Sequence, residues 1–291
     1  MNVPDPASVD YLCNLLIPGA PKSGTSTLHA ALATHPHICM SRPKEPWLFF
    51  RADSGVERHN ALFAHAQADA RVFGESSQGY FADAPSMDRI AACLKRPRII
   101  LLLRHPVDRA LSQYRYDLRR GIETDPLDVA LRNRGEDSSY VYDTRISFYR
   151  SVGGYLAFSR YARIVPEWQR RFGGENVLLL RAEDFHATPA AVLARCHRFL
   201  GLTPLEQAPP PARNATTGTQ RKVMPGPIRA AARLVPGGLK SSALYRRLRG
   251  SVLQGITPAM PDAPDEASLR LLRDALQEDI AFHAGLSSTA D

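Results

Sequence analysis

The segment Leu16-Ile17-Pro18-Gly19-Ala20-Pro21-Lys22-Ser23-Gly24-Thr25-Ser26-Thr27-Leu28 constrains the fold more than any other stretch. An apolar run, Leu12–Ile17, enters a loop with glycines at 19 and 24, and a hydroxyl-rich helical pattern, Thr25–Thr34, leaves it. A strand, a glycine turn and a helix start in that order place free backbone N–H groups at the positive end of a helix dipole, which is an anion site. Glycine at the two turning points lets the backbone curl around an anion without a Cβ in the way. Ser23, Thr25, Ser26 and Thr27 add hydroxyl donors. The spacing Gly19 to Gly24 fits the nucleotide-triphosphate loop GxxxxGK[ST], but Thr25 stands where that motif needs lysine. The lysine lies inside the loop, at Lys22. A serine- and threonine-rich helix cap that binds nothing is the plainer alternative.

The rest of the chain supports a parallel sheet. Short apolar runs at Arg71–Phe73, Arg98–Leu103 and Asn176–Leu180 read as further strands. Helical periodicity lies between them at Ala84–Leu94, Val107–Arg120 and Ser151–Phe172. It follows at Thr188–Leu200, with Thr188 as N-cap, Pro189 in the first turn and Gly201 at the end. Asp265 caps a last helix to Ala284. Strands alternating with helices predict an α/β class, a three-layer fold with a central parallel sheet. Ligands of such sheets sit at the carboxyl ends of the strands. The Pro-rich stretches between about 203 and 264 predict a long loop with short helices. The whole of 1–291 reads as one domain, with its core in about 12–202.

Composition narrows the partners. Of 291 residues, 44% are hydrophobic and 23% charged, so the chain is not disordered. The longest apolar runs fall far short of the ~20 residues of a membrane helix. No basic-then-apolar leader precedes the glycine loop, and the expected location is the cytoplasm. Cys13, Cys39, Cys93 and Cys196 are scattered, as reduced thiols would be. The net charge of +8 points to an anionic partner. The basic residues form no nucleic-acid motif, so a small molecule or glycan is expected and nucleic acid is not. Arg115, Arg119 and Arg120 read as the solvent face of one helix, as do Arg246, Arg247 and Arg249. A homo-oligomer stays open.

A second constellation is Arg104-His105-Pro106-Val107-Asp108-Arg109-Ala110-Leu111-Ser112-Gln113-Tyr114. Pro106 favours an extended residue before it and a helix after it, so Arg104 falls at a strand's carboxyl end and Ser112 on the next helix. Arginine there clamps a phosphate, and serine adds a donor. The alternative is an Arg104 paired to a core carboxylate.

Together the two sites resemble the sulfotransferases that use 3′-phosphoadenosine 5′-phosphosulfate (PAPS). PKSGTSTL is similar to their 5′-phosphosulfate loop, and RHPVDRALSQY to their 3′-phosphate motif. Lys44-Glu45-Pro46 with Trp47 and Phe49-Phe50, then Gly74 to Phe81, resemble segments of the heparan-sulfate-type glucosaminyl branch. The likeness extends over roughly 12–202 through Gly154-Tyr155 and Phe172–Leu202.

The resemblance implies roles. Lys22 would stabilise the leaving phosphate, and Ser23, Gly24, Thr25, Ser26 and Thr27 would bind the 5′-phosphate. Arg104 and Ser112 would hold the 3′-phosphate, with Arg221 and Lys222 closing over it. Glu45 would be the general base, and Lys44, Glu45 and Tyr80 would face the acceptor. PAPS would be the donor and adenosine 3′,5′-bisphosphate (PAP) the product, with no metal required. Two departures stand out. No lysine lies in Glu75–Tyr80, which counts against a sulfated glycosaminoglycan acceptor, and no cysteine pair frames 213–222. His29, His35 and His37 are rival bases. His35-x-His37-x-Cys39 has a metal-like spacing, but no metal is expected. A P-loop small-molecule kinase and a non-catalytic anion- or nucleic-acid-binding protein are the alternative readings.

Overall fold

The computed structural model describes residues 10–50, 55–120, 122–143, 148–151, 153–205 and 264–286. Five parallel strands form the central sheet: β1 (Leu15–Gly19), β2 (Ile38–Met40), β3 (Val72–Glu75), β4 (Arg98–Leu103) and, after a short hairpin, β7 (Val177–Arg181). Their order is β2-β3-β1-β4-β7. The hairpin strands are β5 (Tyr140–Asp143) and β6 (Phe148–Ser151), paired antiparallel.

The strands are continuous apolar runs because both faces are covered. Leu15, Ile17, Ile100, Leu102 and Leu180 face one side. There they pack with Leu28 and Leu32 of α1 (Thr25–Leu32) and with Val192, Leu193 and Cys196 of α8 (Pro189–Phe199). Leu16, Ile99, Leu101 and Leu103 face the other. They meet Met87 and Ile90 of α3 (Ala84–Cys93), and Ile164, Trp168 and Phe172 of α6 (Tyr161–Phe172). Trp168 is fully buried, and its indole N–H is satisfied by the Phe81 carbonyl at 3.1 Å. A third cluster joins α4 (Pro106–Arg120) and α5 (Leu127–Arg134) to Leu272 of α9 (Glu266–Ala275), with Leu276 just beyond it.

From β1 the chain runs through α1 to the far edge at β2, returns to β3, and then passes β1 to reach β4. The direction of winding therefore reverses around β1. A crevice opens outside the carboxyl ends of the strands at such a point, and the glycine loop and Arg104 both border it.

Several elements differ from the sequence reading. The first strand lies at Leu15–Gly19, three residues later than the apolar run suggested. The helix expected over Ser151–Phe172 begins only at Tyr161. Ser151 ends β6, and Gly153 and Gly154 follow at φ 105° and 74°, a left-handed pair that no helix continues through. Thr188 precedes α8 as expected, but its hydroxyl bonds back to the Asp184 carbonyl instead of capping. Asp265 does cap, accepting from Ser268 N at 2.8 Å. The last helix is two, α9 and α10 (Gln277–Ala284), broken at Leu276. The loop expected over 203–264 lies almost wholly outside the described residues.

Candidate active site

The glycine loop leaves β1 under tight control. Ala20 N donates to Leu102 O at 2.8 Å, tying the loop's first turn to β4. Gly19 lies against Phe81, where a Cβ would come within 2.4 Å of the ring. Lys22 at φ 69° and Gly24 at φ 98° are left-handed on either side of Ser23. Such a succession turns N–H groups towards one concavity, an anion nest. A lysine in that region stores about 1–3 kcal/mol of backbone strain, held by its surroundings. Thr27 N and Leu28 N bond to Gly24 O at 2.9 and 3.1 Å, so α1 starts at Thr25. The first N–H groups of that helix have no intrahelical carbonyl to meet, and Gly24, as N-cap, brings no side chain to them. Ser23 and Thr25 are buried and Ser26 and Thr27 half-buried around this end.

Lys22 reaches away from the nest. Its ammonium lies 4.0 Å from the centre of the Tyr116 ring on α4. Burial first, then the neighbouring charges of Arg119, Arg109 and Arg120 against the pull of Asp117, lower its pKa to about 8. Arg120 stands 4.9 Å from the same ring. Arg119 is half-buried and presses on Lys22, so it is not simply part of a solvated face; Arg115 is exposed as expected.

Glu45 is built in from three directions. Its Oε1 takes an ion pair from Lys44 Nζ at 2.5 Å and a hydrogen bond from Gln78 Nε2 at 3.0 Å. Gln78 Nε2 also lies 3.4 Å from Thr25 Oγ1, and Lys44 Nζ 3.5 Å from it. The carboxylate is thus linked to the glycine loop through Thr25. The backbone is pinned as well: Ser76 N donates to Lys44 O at 3.2 Å, and Trp47 N to Ser77 Oγ at 3.0 Å. Ser77 in turn donates its hydroxyl to Glu75 Oε2 at 2.6 Å. Gly79 admits the Trp47 ring, which a Cβ would meet at 1.8 Å. Glu75 is fully buried, and burial raises its pKa to about 7 despite the bonds from Ser77 and Tyr80.

Tyr80 corrects the sequence reading. It is 0% exposed, and its hydroxyl accepts from Phe49 N at 3.1 Å, so it has no surface to offer an acceptor. The signal missed in its place was Gln78, two residues earlier.

Arg104 follows β4 directly, and its carbonyl accepts from Tyr161 Oη at 2.9 Å. His105 N donates to Glu183 Oε1 at 2.8 Å, fixing the turn into α4. Among the described residues no carboxylate pairs with the Arg104 guanidinium. Arg109, one turn on, is the structural arginine. It is fully buried and bonds Ser159 Oγ, Gln113 Oε1 and the Gly154 and Tyr155 carbonyls. Ser112 is half-buried on α4. Arg221, Lys222, Arg246, Arg247 and Arg249 lie outside the described residues.

The histidines are absorbed locally. His29 Nδ1 meets Ser76 Oγ at 2.8 Å, His35 Nε2 meets Thr203 O, and His37 pairs with Asp69. A cavity of about 680 Å³ opens between α1 and the segment after β2. Ser26, His29, Arg42, Lys44 and His65 line it, with no carboxylate among the described residues. It touches the glycine loop at Ser26 and the Glu45 cluster at Lys44. Among the described residues, no helix is long and apolar enough to cross a membrane.

Fold and site define an α/β protein with a glycine loop at a strand switch point and a paired Lys44–Glu45 cluster against it. Residues 13–212 match the sulfotransferase domain family, and the chain belongs to it. It is 28% identical over 204 residues to the human bifunctional heparan sulfate N-deacetylase/N-sulfotransferase 2, covering 67% of this chain and 22% of that protein. It is 28% identical over 189 residues to the human heparan sulfate glucosamine 3-O-sulfotransferase 3B1, covering 64% and 45%. The chain thus spans less than half the length of either relative. A sulfotransferase structure from Alicyclobacillus acidocaldarius superposes with TM-score 0.57 at 25% identity, covering 89% of this chain and 98% of that one. Mouse sulfotransferase SULT7A1, complexed with PAP, shares the fold at TM-score 0.50 and 15% identity, covering 94% and 86%.

Proposed function

We propose that this protein transfers the sulfuryl group of PAPS to a hydroxyl or amine of an acceptor and releases PAP. The observation that carries the reading is the Gln78 amide between Glu45 and Thr25, which holds a carboxylate against the loop that would bind the phosphosulfate. The loop N–H groups, with Ser23, Gly24, Thr25, Ser26 and Thr27, take the 5′-phosphate. Arg104 and Ser112 take the 3′-phosphate, joined by Arg221 and Lys222. Glu45 removes the acceptor proton as the acceptor oxygen or nitrogen attacks sulfur in line. The bond from sulfur to the bridging oxygen breaks, and Lys22 meets the charge that develops there. No metal is needed, because a single bridging oxygen receives the charge and a lysine inside the loop reaches it.

The acceptor is a glycan, glycolipid or secondary metabolite. Similarity to a glucosamine 3-O-sulfotransferase favours an amino sugar. The cation- and imidazole-lined cavity beside Lys44 suits an acceptor without much positive charge. The four free cysteines accord with a cytoplasmic location, and we read the chain as a single sulfotransferase domain.

Calorimetric titration with adenosine 3′,5′-bisphosphate, beside ATP with Mg²⁺, tests the donor class. Tight binding of the bisphosphate, lost in Arg104→Ala, is expected. Preference for ATP with Mg²⁺ overturns the reading in favour of a kinase. Glu45→Gln is expected to keep bisphosphate affinity and lose transfer by roughly 10²–10⁴.

A further inference from the structure

Lys22 is the loop's only side chain long enough to meet the donor's bridging oxygen, yet its ammonium rests on α4. Its support there is the face of Tyr116, 4.0 Å away. Among the described residues it makes no ion pair. Tyr116 lies four residues after Ser112 and four before Arg120, so the three share one face of the helix. Arg119, Arg109 and Arg120 repel the ammonium and Asp117 attracts it without pairing; the electron-rich ring adds to that attraction. We propose that Tyr116 is a positioning residue: it docks Lys22 while the site is empty and gives it up when the donor binds. This rests on the reading of Lys22 as the group that meets the donor.

Magnitudes decide the direction of the exchange. A cation–π contact at a partly exposed site amounts to about two- to fivefold in an equilibrium constant. Opposite unit charges at 4 Å, in an effective dielectric of ~20, amount to about several hundredfold. An anion in the nest therefore wins the lysine from the ring. Undocking lowers donor affinity by the smaller factor, as for any ligand whose competent state must first be populated. The Tyr116 hydroxyl has no part in this, so phenylalanine serves as well.

The test uses the full chain with ¹³C-labelled lysine; the sequence holds five lysines, and Lys22→Arg assigns the signal. In the free protein the Lys22 ε-methylene resonance is expected upfield, from the ring current, in the wild type and in Tyr116→Phe. In Tyr116→Leu it is expected at its ordinary position. Adenosine 3′,5′-bisphosphate should return it to that position in all forms. Tyr116→Leu should bind the bisphosphate about two- to fivefold more tightly than the wild type, and Tyr116→Phe equally. An upfield signal that persists in the complex, or a leucine variant that binds no tighter, overturns the proposal. Should the bisphosphate not bind the wild type, the proposed function fails instead, and inorganic pyrophosphate titrated into the same samples carries both readouts. A Lys22 signal unmoved by either anion overturns the docking role itself.

Discussion

Glu45 and Arg104 both follow strands of the same sheet, at its carboxyl edge, and they are held in opposite ways. Glu45 has Lys44 and Gln78 on one oxygen, and its backbone segment is tied to the turn after β3. Arg104 has no carboxylate partner among the described residues, and Lys22 nearby rests on an aromatic face among other cations. In the proposed function, the side that would handle a proton is completed in advance by protein groups, and the side that would handle an anion leaves its positive charges to be completed by the ligand. Preorganisation suits the first, because a base must already be aimed when the acceptor arrives. Unpaired cations suit the second, because a carboxylate beside Arg104 would compete with phosphate.

This contrast can be broken most sharply at Lys22. Lys22→Ala is expected to lower sulfuryl transfer by roughly 10²–10³, about 3–4 kcal/mol. Bisphosphate affinity should fall as well, since the lysine's contact with the bound anion is lost although the backbone nest remains; a radiolabelled-donor assay and calorimetry measure the two separately. The next largest effect concerns stability. Bisphosphate at 100 times its Kd should stabilise the fold by about 2.7 kcal/mol. Arg104→Ala without ligand should unfold within about 0.5 kcal/mol of the wild type, as a guanidinium with no carboxylate partner among the described residues implies. A large loss of stability in that variant would mean that Arg104 is structural. Gln78→Leu should cost transfer about tenfold, near 1.4 kcal/mol, with bisphosphate affinity kept, because only the Glu45 side loses a bond to a charged group.

A separate test is a pH slope. Burial raises the Glu75 pKa from 4.5 to about 7. The unfolded chain therefore gives up this proton near 4.5 while the folded chain keeps it to about 7, and stability falls as pH rises across that window. Glu75→Gln should flatten the slope in thermal unfolding between pH 4.5 and 7. An unchanged slope would place the pH dependence on Asp117, raised to about 7 by its own burial.

The sheet was legible where strands are unbroken apolar runs between turn signals, as at Arg98–Leu103. β2 was not, because three residues, Ile38-Cys39-Met40, leave no period to read. The hairpin was hidden because Tyr and Phe at its strands fit a helical pattern as well as an alternating one. The break at Leu276 was hidden too, since Leu272, Leu276 and Ile280 keep a helical spacing straight through it. In the site, Lys22, Glu45, Arg104 and Ser112 sit in contiguous motifs, whereas the parts played by Gln78 and Tyr116 arise only when β3 and α4 meet the glycine loop. Tyr116 left one readable trace, its four-residue spacing from Ser112.

The strand order has a consequence for how the chain acquires its shape. β1 precedes its four sheet partners in the chain and is the central strand, flanked by β3 and β4, so Leu15 must find Gly74 on one side and Arg98 on the other. Parallel pairings between such distant residues form slowly, and until they close an apolar strand stays exposed on both edges. The turn that begins the glycine loop is fixed by Ala20 N on Leu102 O. A nascent chain that stops short of β4 therefore carries every residue of the loop without the bond that fixes its first turn, and the proposed anion site is completed late although its sequence emerges early.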